Sequence, residues 1–148
     1  MPAAGSFASE LKVPARAEFI PAAKRVAASL GSILGFSIEE IDELCIAVAQ
    51  ACDNTIEAAQ DAWGEGATLK LSYNSTSRGI AVDVEAVAPT SPHALPIPRP
   101  ARRTPDEAFD AQRKLERDMI RLFVDEFRQQ VAPTRGHIRF RMVKYLIS

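Results

Sequence analysis

The 148-residue sequence contains few cysteines and no long apolar run. Its two cysteines, Cys45 and Cys52, lie within one predicted helix, where a rise of about 1.5 Å per residue separates their backbones by roughly 10 Å. This separation excludes a disulfide between them, and two reduced thiols fit a reducing compartment. No stretch approaches the roughly 20 apolar residues of a membrane-spanning helix, and residues 1–10 lack the basic and apolar regions of a signal peptide. We therefore expect a cytoplasmic protein without direct contact with a membrane.

An excess of charge of one sign is also absent. Eighteen Lys plus Arg residues and 19 Asp plus Glu residues give a formal net charge of -1. Because no overall positive field would attract nucleic acid, we expect no direct nucleic-acid binding. The two histidines, His93 and His137, lack the spacing of metal ligands. With 47% hydrophobic and 25% charged residues, the chain fits one compact domain over residues 1–148.

Two helices are predicted in the first half of the chain. Apolar residues recur every three or four positions over residues 17–34, and Gly35 is a suitable helix end. Ser37 and Glu40 fit a capping box that begins a second helix, which should end near Trp63. Its predicted buried stripe consists of Ile41, Cys45, Val48, Cys52, Ile56 and Ala59. The opposite side carries Asp42, Glu43, Gln50, Asp53 and Asn54.

Strands are predicted where the apolar period changes to two. Residues 11–13 form a short edge strand, and residues 69–73 and 80–84 form an antiparallel hairpin. A third helix runs from residue 104 to about residue 127, followed by a closing hairpin of residues 127–131 and 138–142. This order predicts an α+β fold, a two-layer sandwich of helices on a mostly antiparallel mixed sheet.

Residues 87–105 differ in composition from the rest of the chain. They contain six prolines together with Arg99, Arg102 and Arg103. A structureless stretch of this length inside a small domain counts either against the assignment of elements or in favour of a functional lid, and we interpret it as a lid. The three arginines are candidates for binding an acidic partner, and the alternative is that they are simply solvated.

The second predicted helix carries the sequence that points to a family. Residues 39–59 read EEIDELCIAVAQACDNTIEAA. This segment resembles the signature helix of the RsbW-type anti-sigma-factor serine kinases, within the GHKL (histidine-kinase-like) ATPase superfamily. The opening Val13-Pro14-Ala15 and the closing residues 139–146 are also similar to the corresponding ends of that family.

The resemblance implies a Bergerat-type fold that holds ATP and Mg²⁺ between the signature helix and a lid. Such proteins bind a sigma factor, and most phosphorylate a serine of a STAS-domain antagonist in a partner-switching system. They are usually homodimers. The resemblance therefore implies a regulator of bacterial transcription whose partner is a sigma factor, a STAS-domain protein or both.

The family's catalytic pair on the signature helix is altered in this sequence. The family places a glutamate four residues before an asparagine, so that the carboxylate can act as general base and the amide oxygen can reach Mg²⁺. Here the asparagine is Asn54, but the earlier position is Gln50. Because an amide cannot accept a proton near neutral pH, this position has no general base.

Three further parts of the family's nucleotide-binding site are also altered. The aspartate that accepts the adenine amino group corresponds to Ala86, and the first glycine after it corresponds to Ala88. The glycine pair that would cradle phosphate corresponds to a segment around Glu116, which contains no glycine. A threonine that commonly reaches the adenine corresponds to Ile138.

These departures favour a regulator whose ATP binding and phosphoryl transfer are weak or lost. We therefore expect no cofactor, with ATP and Mg²⁺ as the ligands and Asn54 as the metal ligand if the site still functions. A first alternative is an active serine kinase that uses substitute residues such as Glu57, Asp83 or Glu116. Against Asp83, the strand period places it on the other sheet face unless the register slips by one residue. A second alternative is an interaction module unrelated to transcription.

Overall fold

The computed structural model describes residues 7–89, 120, 123–132 and 137–145. In chain order, the elements are β1 (Ala8–Pro14), a 3₁₀ turn (Ala17–Phe19), α1 (Ile20–Leu34), α2 (Ile38–Trp63), β2 (Thr68–Ser75), β3 (Gly79–Val87), β4 (Glu126–Ala132) and β5 (His137–Tyr145). The fold is therefore α+β, as the sequence predicts. Neither α1 nor α2 combines the length and apolarity that a membrane crossing requires.

The five strands form one sheet in the order β1-β2-β3-β5-β4, and each neighbouring pair is antiparallel. The prediction of a mixed sheet is therefore wrong for the described strands. Strands β3 and β4 run in the same direction, but β5 lies between them, so they do not pair with each other as parallel neighbours. Strand β1 is at the edge of this sheet, as predicted.

The two faces of the sheet differ in chemistry. On the inner face, which packs against the helices, Val84 pairs with Phe140 and Val82 with Met142, and all four are buried. Because side chains alternate along a strand, Asp83 points to the opposite, outer face. The described side chains of β3 and β5 therefore follow the predicted alternation.

The helix boundaries follow from local capping. Ser37 Oγ accepts a hydrogen bond from the Glu40 backbone N–H at 3.1 Å, and Glu40 Oε1 accepts one from the Ser37 N–H at 2.9 Å. This capping box begins α2, as predicted. Gly35 ends α1 with a left-handed φ of 87°, a conformation that glycine adopts without steric cost.

Helix α2 is buried by both α1 and the sheet. Helix α1 presents the small residues Ala23, Ala27 and Gly31 to the core, which allows close packing against α2. On its other side, α2 contacts β2, β3 and β5. The buried part of α2 is therefore wider than the predicted stripe, of which Ile41 and Cys45 are only half-buried. It also includes residues that the stripe omits, namely Leu44, Ala47, Ala51, Asn54 and Thr55.

The third predicted helix ends earlier than expected. Ile120 and Phe123 are helical, whereas Phe127 lies in β4, so an end near residue 127 is wrong. Pairing with β5 explains the change, because the Asp125 N–H donates to the Val143 carbonyl at 2.9 Å and β4 begins at the next residue. The remainder of this predicted helix, and residues 90–105 of the predicted lid, lie outside the described residues.

An ion pair between buried Lys144 and half-buried Glu43 connects these parts of the fold. Lys144 of β5 points to the inner face, where its Nζ donates to Glu43 Oε2 of α2 at 2.8 Å. The same ammonium donates to the Phe123 carbonyl at 3.0 Å. Lys144 therefore joins β5, α2 and the chain that leads into β4.

The close approach of α1 and α2 predicts that Gly31→Leu destabilises the fold. A Cβ atom at Gly31 would lie 3.2 Å from Ile41 Cγ1 and 3.8 Å from Leu44 Cδ2. We expect a loss of about 1–3 kcal/mol in the free energy of unfolding by urea, because crowding outweighs the gain in helix propensity. The control Ser32→Leu, at an exposed position of α1, should change it by less than about 0.5 kcal/mol. Equal losses in the two variants would contradict the close packing.

Candidate functional site

Gln50 and Asn54 lie one turn apart on α2 and form a hydrogen bond. Gln50 Nε2 donates to Asn54 Oδ1 at 3.2 Å. Asn54 is only 3% exposed, whereas Gln50 is half-buried. The prediction that Asn54 lies on the side of α2 opposite the buried stripe is therefore wrong, because the sheet covers a second side of this helix. The amide oxygen that a metal ion would need already accepts a hydrogen bond.

Asn54 lies on the side of α2 that faces β5. Glu43 contacts Lys144 of β5, and Asn54 follows Glu43 by eleven residues, which is close to three full helical turns. The two side chains therefore project from the same side of the helix. This places Asn54 toward the interior between α2 and the sheet.

Ala86 and Ile138 are direct cross-strand partners on β3 and β5. Both have 0% exposure and belong to the hydrophobic core, as does Leu69, which pairs with Ala86 from β2. The structure therefore brings two of the predicted site positions together. Neither has a polar side chain, so this row of the sheet offers no side-chain hydrogen bond to a base.

The remaining predicted positions are less informative. Ala88 is half-buried and lies just after the end of β3. Glu116 and the three arginines of the predicted partner site, Arg99, Arg102 and Arg103, lie outside the described residues.

These donor groups do not fit Mg²⁺ and adenine. Mg²⁺ prefers carboxylate, phosphate and water oxygens in near-octahedral geometry. The described site positions supply two side-chain amide oxygens, those of Gln50 and Asn54, and no carboxylate, and the Asn54 oxygen already accepts a hydrogen bond. Within the described part of the chain, no group of three or more His, Cys, Asp or Glu side chains could hold a metal ion.

Asp83 belongs to a separate cluster on the outer face of the sheet. Its Oδ1 accepts hydrogen bonds from Arg139 Nε at 3.1 Å and from Arg139 Nη2 at 2.9 Å, and its Oδ2 accepts one from Arg141 Nη1 at 3.0 Å. The pairing of β3 with β2 and β5 shows no register slip, so Asp83 faces away from α2 as the strand period predicts. The sheet separates Asp83 from Asn54, which makes Asp83 unsuitable as a substitute base.

Sequence reasoning did not predict two groups of paired charges in this structure. They are the Asp83–Arg139–Arg141 cluster and the pair of buried Lys144 with half-buried Glu43. Strand alternation in residues 137–145 was a usable signal, because it puts Arg139 and Arg141 on one face and Lys144 on the other. The pairing of β5 with β3 could not be read from that signal.

The cysteines are not activated nucleophiles. Cys52 is buried, and burial together with the nearby Asp53 raises the pKa of its thiol to about 12. Cys45 is half-buried, and burial raises its pKa as well, against the opposing effect of Lys24. Because the thiolate is the reactive form, both thiols are expected to be inert near neutral pH.

A cavity of about 560 Å³ lies beside β1 and the carboxyl end of α2. Its lining includes Lys12, Arg16, Gln60 and Glu65. It contains none of the predicted site positions. Lys12 and Arg16 are already paired with Glu10 and Glu18 respectively, so the cavity has no buried charge that calls for a ligand.

Comparison with known proteins finds partial similarity to serine-protein kinases. The serine-protein kinase RsbW of Halalkalibacterium halodurans is 35% identical over 65 residues, which cover 44% of this chain and 38% of that protein. The RsbW kinases of Bacillus thuringiensis and Bacillus cereus are 32% identical over 50 residues, which cover 34% of this chain and 31% of theirs. No family model matches the chain. The matches thus span less than two-fifths of the curated relatives and support a relationship to RsbW-type proteins.

The outer-face cluster predicts that Asp83→Ala destabilises the fold. Removal of a buried carboxylate leaves Arg139 and Arg141 as adjacent like charges, so we expect a loss of about 2 kcal/mol in the free energy of unfolding by urea. The control Glu10→Ala removes a solvent-exposed pair with Lys12 and should cost less than about 1 kcal/mol. If Asp83→Ala were no more destabilising than Glu10→Ala, the structural role of Asp83 would be wrong.

Proposed function

We propose that this chain is an anti-sigma-factor-like regulator that works by binding protein partners, with ATP binding and kinase activity weak or lost. Its partners are a sigma factor, a STAS-domain antagonist or both, within a bacterial partner-switching system. The protein acts as a cytoplasmic homodimer with a GHKL-like fold, and residues 87–105 are a remodelled lid. Partial similarity to the RsbW serine-protein kinases supports the family part of this proposal.

The hydrogen bond between Gln50 and Asn54 is the main observation that supports the proposed loss of catalysis. The resemblance puts a carboxylate at position 50, where the protein has a neutral amide that donates to the asparagine oxygen. Phosphoryl transfer depends on positioning and on stabilisation of charge by metal and donor groups. Two neutral amides without a carboxylate give Mg²⁺ little compensation for its charge at these positions. The apolar pair Ala86–Ile138 supports the same conclusion for adenine.

Isothermal titration with Mg-ATP tests the proposed loss of nucleotide binding. We expect no saturable heat up to about 1 mM ATP, which corresponds to a binding free energy weaker than about -4 kcal/mol. The Gln50→Glu variant should behave in the same way, because Ala86 and Ile138 remain apolar. The Halalkalibacterium halodurans RsbW kinase serves as the positive control. Micromolar binding by the wild-type chain would instead support the active-kinase alternative.

The name of the relatives favours that alternative, since all three are serine-protein kinases. The titration distinguishes the two proposals by whether ATP binds. A second experiment tests whether the proposed protein partners bind. Size-exclusion chromatography with the sigma factor and the STAS-domain protein encoded nearest the gene should give a stable complex with at least one of them. The absence of both complexes would favour an interaction module unrelated to transcription.

A further inference from the structure

Helix α2 exposes large apolar side chains to solvent. Ile38 is 80% exposed and Ile46 is 44% exposed. Ile33, at the carboxyl end of α1, is 63% exposed, and these three are the exposed large hydrophobic residues in the described part of the chain. Exposure of one such residue needs no explanation, whereas two on one helix side suggest a contact surface.

The two isoleucines of α2 belong to a regular helical stripe. We name as the α2 stripe the residues Ile38, Asp42, Ile46, Ala49 and Asp53. Their spacings of four, four, three and four keep them within an arc of about 80° on one side of the helix. The stripe is about 22 Å long, which matches a partner helix of about 15 residues. Such spacing is typical of seams between two helices, so it favours a helix over an extended peptide.

The charge of α2 indicates which kind of partner helix would bind to the stripe. Although the whole chain has a net charge of -1, α2 contains seven of its 19 acidic residues and no Lys or Arg. Within the stripe, Asp42 and Asp53 are exposed and form no ion pair with any described residue. An external positive charge would complement both carboxylates.

We propose that the α2 stripe docks an amphipathic helix of another protein whose apolar residues are flanked by Lys or Arg. Ile38 and Ile46 pack against its apolar face. The small side chain of Ala49 allows the two helices to approach each other closely between Ile46 and Asp53. Asp42 and Asp53 then pair with its basic side chains. Gln50 borders the stripe, since it follows Ile46 by four residues, whereas Asn54 is buried in the interior. Docking on the stripe does not require the partners or the nucleotide behaviour proposed above.

A pair of synthetic peptides tests this proposal. The probe is a fluorescein-labelled peptide of about 18 residues with leucines every three or four positions and lysines between them, and the matched peptide has glutamates in place of lysines. Fluorescence anisotropy at about 0.15 M salt should show about tenfold tighter binding of the lysine peptide. Ile46→Ser should weaken that binding about tenfold. Both outcomes follow only if apolar and charged contacts act together.

A matched pair of double variants separates local contacts from general charge attraction. Asp42→Asn with Asp53→Asn should weaken binding of the lysine peptide, whereas Glu10→Gln with Glu18→Gln, which removes the same charge elsewhere, should not. Equal weakening by the two pairs, or normal binding by Ile46→Ser, would overturn the proposal. So would sedimentation of the wild type as a dimer that Ile38→Ser with Ile46→Ser converts to monomer, because a second copy would then cover the stripe.

Discussion

The burial of α2 on two sides is the constraint on which the rest of this structure depends. The small residues of α1 allow one side to be covered closely, with Gly31 facing Ile41 and Leu44. The inner face of the sheet covers the other side, where Lys144 fixes α2 to β5 through Glu43. Because α2 is held from both directions, its remaining side is the one available for solvent or for a partner.

The same constraint gives a physical meaning to the altered site. In the proposed GHKL-like site, a nucleotide would lie between α2 and the sheet, where the described positions carry an amide pair on the helix and buried apolar residues on the strands. These side chains are consistent with the proposal of a regulator that works by binding proteins. The outer-face cluster around Asp83 stabilises β3 and β5 independently of this interior.

Local signals made much of the fold predictable from the sequence. The capping box at Ser37, the stop at Gly35 and the alternation in β2, β3 and β5 all depend on neighbouring residues, and all are confirmed. Properties that depend on tertiary pairing were not predictable in this way. The burial of Asn54 results from the sheet lying under α2, and the early end of the third helix results from the pairing of Asp125 with β5.

The relative positions of the predicted site residues were predictable only in part. Spacing alone put Gln50 and Asn54 on one helix side, and the strand period put Ala86 on the inner face. The hydrogen bond that occupies the Asn54 oxygen and the pairing of Ala86 with Ile138 required coordinates. The predictions that fall on residues 90–119 lie outside the described residues.

Thermal unfolding of the Ala86→Asp variant, with and without Mg-ATP, tests most directly the proposed loss of nucleotide binding at a position that the family resemblance assigns to adenine. Ala86 has 0% exposure, so a carboxylate there should cost about 3 kcal/mol or more of unfolding free energy. The account predicts a large fall in Tm that Mg-ATP does not reverse. A variant that folds normally and whose Tm rises with Mg-ATP would contradict it, because the position would still be able to receive a nucleotide.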